Sequence, residues 1–353
     1  MNNGGNAMKA CVLKAVGQLD YTEVEAPSPA AGEVLLKIRA SGICGSDIAR
    51  VFVKGTYSFP TIPGHEFAGE ITEVGEGTDP ELLGKKAAVF PLLPCKCCDM
   101  CEVGEYASCR NYNYFGSRCD GGFAEYIAVP VWNLVMGDPS LSYEEMAMAE
   151  PAAVSIHALS RAGVELGDVV AIFGAGAIGL MLAEFARAWG AAKVIPMDID
   201  PSKIEFAKSI GFTDALNNGE SDWEKRLMEL TGGRGADIVV EGAGVPSALA
   251  GCMRIAKPQG KVVLMGNPLG DMPLTQHDYW EILRKQLNVY GTWNSSYTRK
   301  KNDWQTALEA MAAGRIDVKK LITHRFPLSE ANRAFELIRD KKEFVSRVMF
   351  INE

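Results

Sequence analysis

The chain has 353 residues, 47% of them hydrophobic and 23% charged, which is ordinary globular composition and long enough for two domains with separate cores. Its net charge of −8 argues against a nucleic acid or an anionic membrane face as the main partner, since both require a basic surface. No apolar run approaches the ~18 residues of a membrane span, and nine cysteines with no basic-then-apolar export signal point to a reducing, cytoplasmic setting.

In chain order, residues 1–7 read as a flexible leader, with Met8 an alternative start. The first third is rich in short alternating or β-branched runs, "EVLLKIRASGICG", "FAGEITEVGEG", "KAAVFPLLP" and "GGFAEYIAVP", separated by Gly and Pro. Such closely spaced turn signals predict a compact β-rich domain. Between the runs lie Cys44 and Ser46 in "SGICGSD" and His65 and Glu66 in "PGHEFAGE". Taken singly, Cys44 reads as a buried thiol and His65 as a core histidine.

The stretch "PCKCCDMCEVGEYASC" carries CxxCxxCx7C through Cys95, Cys98, Cys101 and Cys109, with Cys97 as an odd member. Two-residue spacers let successive thiolates turn toward one ion, and four thiolates close a tetrahedron around zinc with no position left for substrate. That predicts a structural zinc; an iron–sulfur cluster is the rival for any four-cysteine set. From Ser142, an N-cap with acidic residues behind it, "SYEEMAMAEPAAVSIHALSRAG" predicts a helix that carries Glu150, which by itself reads as a surface charge.

The character then changes to strands alternating with helices, which predicts a doubly wound parallel sheet. "VVAIF" and "KVIPMD" read as strands around the helical "AIGLMLAEFARAWG". "ADIVVEGA", "GKVVLMG" and "LNVYGTW" are further strands, and helices are expected at 203–210, 223–230 and 247–255. Gly174, Gly176 and Gly179 form GxGxxG between the first strand and helix, and Asp198 closes the next strand about 20 residues on, where an acid meets a ribose. The pyrophosphate would lie at the helix N-terminus, on the amides around Ala177 and Ile178. Asp198 favours NAD, because its carboxylate repels a 2′-phosphate; Lys203 and Gly266 are further candidate cofactor contacts, and the alternative is a tight turn without a ligand. After Trp293 the chain reads as a helix through "DWQTALEAMAAGRI" and a strand in "KEFVSRVMFIN".

Together, "GICGSD", "GHEFAGEI", the four-cysteine lobe, "EPAAV" and "GAGAIG" with its acid resemble the medium-chain, zinc-dependent alcohol and polyol dehydrogenases over essentially the whole chain from Met8. The resemblance implies a GroES-like catalytic domain over 8–156 and 297–353, split by a Rossmann NAD-binding domain over 157–296. It implies two zinc ions per chain. The catalytic ion would be held by Cys44, His65 and Glu150, with Glu66 able to exchange at the metal, and Ser46 would receive the alcohol's proton. Many relatives carry a histidine five residues after the zinc cysteine to pass that proton on; here the position is Ala49, so water beside Ser46 or a carboxylate of the zinc shell must take over.

Within the family, "PLLPC", "GSRCDGGFAEY" and "ILRKQLNVYGTWNSSY" resemble the branch that oxidises a phosphorylated hexitol. A phosphate needs cationic donors, for which Arg50, Lys54, Arg118 and Arg299 are candidates, and Asn294 is a candidate for a substrate hydroxyl or a loop cap. The expected partner is thus a small polyol or polyol phosphate, and the expected assembly a homodimer or homotetramer. The rivals are an unphosphorylated polyol, a butanediol or threonine as substrate, and, outside catalysis, a zinc-binding structural protein of the same fold.

Overall fold

The computed structural model describes residues 7–352, which divide into two compact units. One comprises the chain up to Pro151 with Ser296–Gly314 and Leu321 onward; the other is Ala152–Ser295 with Arg315–Lys320, where Lys320 pairs with Glu184. All but one residue of the expected leader lies outside the described residues. Ala7 belongs instead to a strand, Ala7–Ala15, in which Met8 and the run Ala10–Leu13 are buried.

The first unit is built on a seven-stranded sheet. Its path runs Ile322–Phe326, Arg347–Ile351, Glu33–Gly42, Glu66–Val74, Lys86–Val89 and Leu134–Met136, with Tyr126–Pro130 also paired to Glu33–Gly42. The C-terminal strand is thereby a central member of a sheet begun more than 300 residues earlier, and Phe123 packs edge-on against both Phe335 and Phe350, with centroids 5.9 and 5.0 Å away. The Tyr297 hydroxyl donates to the Trp132 and Leu134 carbonyls at 3.0 and 3.1 Å, tying in the returning segment.

The second unit holds a six-stranded parallel sheet in the order Leu216–Asn217, Lys193–Asp198, Val169–Phe173, Ala236–Glu241, Ala256–Leu264, Asn288–Gly291. In chain order this is 3-2-1-4-5-6, which reverses direction at the first strand and opens a ligand crevice at the carboxyl ends there.

The single helix expected from Ser142 is two. Ser142 caps Tyr143–Ala147 in a reciprocal capping box with Glu145, and a second helix runs Ala149–Ala162. Pro151 explains the break: it has no N–H to give to the Ala147 carbonyl four residues back, and its ring would collide with it.

Candidate metal and dinucleotide sites

Strand register assembles the first site. Gly42 lies opposite Glu66 in the antiparallel pair Glu33–Gly42 and Glu66–Val74, so the chain leaving one strand at Cys44 and entering the other at His65 meets itself. One ligand atom each from Cys44, His65 and Glu66 falls within 4.8 Å of the others. The next strand, Arg347–Ile351, sets Met349 opposite Gly42 and brings Arg347 onto Glu66 as a buried ion pair. A Cβ on Gly42 would meet the Glu66 carboxylate, so the missing side chain leaves room for it. Glu150 is buried beside the group but outside that 4.8 Å set, and the Tyr114 hydroxyl donates to its Oε1 at 3.4 Å.

Around these donors is a layer that sequence reading missed. Asp47, wholly buried, accepts from the Cys44 backbone N–H at 3.0 Å and lies 3.4 Å from His65 Nδ1. Such a carboxylate orients the ring so that Nε2 is left for a metal. Arg50 Nη1 donates to Asp47 Oδ1 at 2.7 Å and to Ser46 Oγ at 2.9 Å, which gives this arginine an internal role. The signal for Asp47 was its place three residues after Cys44, where it also completes the cap of the helix Gly45–Ala49.

Electrostatics match donor chemistry. Burial pushes the Cys44 thiol up, but the bond to His65 and its charge outweigh that and bring it to about 6. Burial pushes His65 down, and Asp47 followed by Cys44 raise it to about 10. A thiolate facing an imidazolium becomes a two-donor site when one proton leaves, which is how cation binding couples to proton release. Glu150 is lifted to about 7, chiefly by burial, against the lowering charge of His65.

The four-cysteine lobe is a second group. Cys98 and Cys101 sulfurs are 3.6 Å apart, Cys95 and Cys101 3.9 Å, and Cys98 and Cys109 4.0 Å. Zn–S bonds of ~2.3 Å in a tetrahedron give sulfur separations of about 3.8 Å. The thiols therefore fit one zinc ion; a cluster of several irons bridged by sulfides would hold them farther apart. Cys97 is exposed and outside the group.

In the second unit, Gly174 adopts φ +97°, the left-handed turn that leads from strand to helix, and a Cβ on Gly179 would collide with the Gly174 carbonyl oxygen. Gly176 is the N-cap of the helix Ala177–Ala188, supplies no side-chain cap, and faces open space. Free amides and open space at a helix N-terminus fit a pyrophosphate. Asp198, at the end of the neighbouring strand, accepts from the backbone N–H of Ala175 and of Asp200, both at 3.0 Å, and pairs with Lys203 Nζ at 3.0 Å. Lys203 is thus engaged with the acid itself. Glu241, unremarked in the sequence, is buried and accepts from Ala243 and Gly244 N–H at 3.0 and 2.7 Å, and Gly266 N–H donates to its carbonyl at 2.8 Å.

Of the remaining candidates, Asn294 has φ +56° and accepts from the Ser295 hydroxyl at 3.1 Å. Lys54 and Arg299 are exposed, and Arg118 lies in the turn after Tyr114.

Comparison with known proteins agrees with this geometry. Residues 30–138 match the model of the alcohol dehydrogenase GroES-like domain, and 177–313 match that of zinc-binding dehydrogenases. Galactitol 1-phosphate 5-dehydrogenase of Escherichia coli (strain K12) is 39% identical over 295 residues, 83% of this chain and 85% of its own. Sorbitol dehydrogenase of Bacillus subtilis (strain 168) is 33% identical over 349 residues, 97% and 96% of the two chains. The crystal structure of galactitol-1-phosphate dehydrogenase from Escherichia coli superposes with a TM-score of 0.91 at 35% identity, covering 98% of this chain and all of that one.

Proposed function

The chain belongs to the zinc-binding dehydrogenases with an alcohol dehydrogenase GroES-like domain, and from that premise we propose that it oxidises a secondary alcohol of a polyol phosphate, galactitol 1-phosphate to tagatose 6-phosphate, with NAD as acceptor. The observation that carries the substrate is the 39% identity to galactitol 1-phosphate 5-dehydrogenase. Cys44 and His65, with Glu66 or Glu150, hold the catalytic zinc, and Cys95, Cys98, Cys101 and Cys109 hold a structural one. When bound, zinc would supply Lewis acidity at the substrate's hydroxyl, and NAD would supply the hydride acceptor.

The residues do the rest. Asp47 fixes the His65 ring, and Arg50 fixes both Asp47 and the Ser46 hydroxyl. A serine oxygen has two acceptor sites and one donor. Arg50 takes one acceptor site, so Ser46 receives the substrate proton on the other. Arginine carries no acceptor and Ala49 has no polar side chain, so the proton leaves Ser46 through water or a carboxylate of the metal group. Gly174, Gly176, Ala177, Ile178 and Gly179 cradle the pyrophosphate, and Asp198 takes the ribose hydroxyls and selects NAD.

The reading includes a homodimer or homotetramer. The edge strand Asn288–Gly291 has one unpaired side, and Tyr279, Trp280, Leu283 and Val289 are exposed in the same unit; such an edge calls for cover. A cytoplasmic setting is supported by nine cysteines, none of them in a disulfide. No helix among the described residues is long and apolar enough to cross a membrane.

A second reading, an unphosphorylated polyol as substrate, is favoured by the sorbitol dehydrogenase match, which spans nearly the whole chain. The test follows NADH absorbance with galactitol 1-phosphate, free galactitol, sorbitol, 2,3-butanediol and threonine. Preference for the phosphate ester is expected; turnover of free polyols alone would end the phosphate reading, and no turnover by zinc-loaded protein would end the enzymatic one.

A further inference from the structure

Arg118 is held in an unusual way. Its guanidinium carbon lies 4.1 Å from the centre of the Tyr57 ring and 4.5 Å from that of Tyr112, so two aromatic rings lie against it. The backbone keeps the clamp in place: Arg118 N–H donates to the Tyr114 carbonyl at 3.0 Å, and Tyr57 N–H donates to the Ser117 carbonyl at 3.2 Å. Ring contacts hold a guanidinium without a hydrogen-bond acceptor, and among the described residues none of the five N–H donors of Arg118 meets one. No carboxylate among the described residues pairs with Arg118, whereas Arg50, Arg254 and Arg347 each face one. A pre-oriented cation with its donors unused is a receptor for an oxyanion, and the parallel fork of two N–H groups suits phosphate.

The clamp is joined to the metal group through aromatic contacts. Tyr112 meets Tyr114 edge-on with centroids 6.4 Å apart, and Tyr114 packs on His65 at 5.8 Å while its hydroxyl reaches Glu150. Tyr57 is 71% exposed, so the clamp opens to solvent.

We propose that Arg118, held against Tyr57 and Tyr112, is the receptor for the substrate's phosphate, so that the phosphate sets which hydroxyl of the carbon chain reaches the Cys44–His65 group. This rests on the reading of the substrate as a polyol phosphate.

The experiment compares the zinc-loaded parent with Arg118→Met and Arg118→Lys. For each, kcat/KM is measured on galactitol 1-phosphate and on free galactitol, with inhibition by inorganic phosphate and Tm alongside. In Arg118→Met the ratio of the two kcat/KM values is expected to fall roughly 10- to 150-fold, the range for losing a hydrogen bond to a charged group, mostly through KM. Inhibition by inorganic phosphate should weaken in parallel, and Arg118→Lys, which keeps the charge but not the fork, should recover part of both. A parent that prefers the ester and an Arg118→Met variant with the same ratio would overturn the receptor assignment. Equal losses on both substrates with a lowered Tm would also overturn it, leaving the clamp a loop fastening. A parent that shows no preference for the ester would overturn the polyol phosphate reading beneath it.

Discussion

Replacing Arg347 by methionine takes away the cation that faces Glu66 in the interior of the first unit. The two side chains are only 5% and 0% exposed, and Arg347 Nη1 also donates to the Ile43 carbonyl at 3.2 Å. Without zinc, Glu66 has no ion-pair partner other than Arg347 among the described residues, so in the metal-free protein the variant leaves a buried charge uncompensated. Breaking such a pair by removing one partner costs about 3–5 kcal/mol. Each kcal/mol moves the melting point of a domain of this size by ~2–4 °C, so the shift should be about 6–20 °C downward. Glu66→Gln combined with Arg347→Met removes both charges and should cost less than about 2 kcal/mol, because a neutral amide is far cheaper to bury than an unpaired carboxylate. Scanning calorimetry of the metal-free proteins measures both, with the transition of the first unit identified by its response to the substitution. A shift below ~2 °C for Arg347→Met, or a double variant as damaged as the single one, would refute the view that the pair compensates a buried charge.

Four further outcomes are expected. Gly179→Ala drives a Cβ into the Gly174 carbonyl oxygen and should abolish NADH binding, read by fluorescence titration; affinity within about threefold of the parent would contradict the close packing. Cys97→Ser should keep two zinc ions per chain by metal analysis, whereas Ser at Cys95, Cys98, Cys101 or Cys109 should lose one; loss of a zinc in Cys97→Ser would place that thiol in the lobe. Ser46→Ala should slow turnover about 10²-fold or more and change the solvent isotope effect, as removal of a proton acceptor does; an unchanged isotope effect would remove Ser46 from the proton path. The Asp278 carboxyl is held below its ordinary value by the Thr275 hydroxyl and, after it, Arg254, so its contribution to stability is complete above a normal carboxylate pKa of ~3.9 and is lost as pH falls through the lowered value. Asp278→Asn should therefore flatten the acid limb of stability against pH below about pH 4; an unaltered limb would show that this network contributes nothing there.

Elements set by local pattern were legible in the chain. Val169–Phe173, Lys193–Asp198 and Trp223–Leu230 occupy the stretches expected of them, since a buried parallel strand is a continuous apolar run and a surface helix repeats every three to four residues. The helix Gln276–Lys285 and the strand Ile322–Phe326 carry weaker apolar patterns and were not picked out. The division at Met148 was within reach of sequence reasoning, through Pro151, but the strong cap at Ser142 masked it.

The donor types behave similarly. Four cysteines in one loop declare themselves by spacing, because the ligands of that ion are neighbours along the chain. GxGxxG does so because turn, helix N-terminus and following acid are consecutive. The other metal group has no such signature: Cys44 meets His65 only through the register of Gly42 on Glu66, and Arg347 reaches Glu66 only because the last strand inserts beside Glu33–Gly42. The turn of Arg50 onto Ser46 and Asp47 depends on its rotamer as well as on its helix position, and the clamp of Tyr57 and Tyr112 on Arg118 joins two loops. The sequence alone thus determined the doubly wound sheet, the four-thiol lobe and the glycine-led turn, all written in short-range spacing. Only the tertiary structure decided which charges are paired and which donors stay free, because those contacts are made by strand register and loop packing across long stretches of chain.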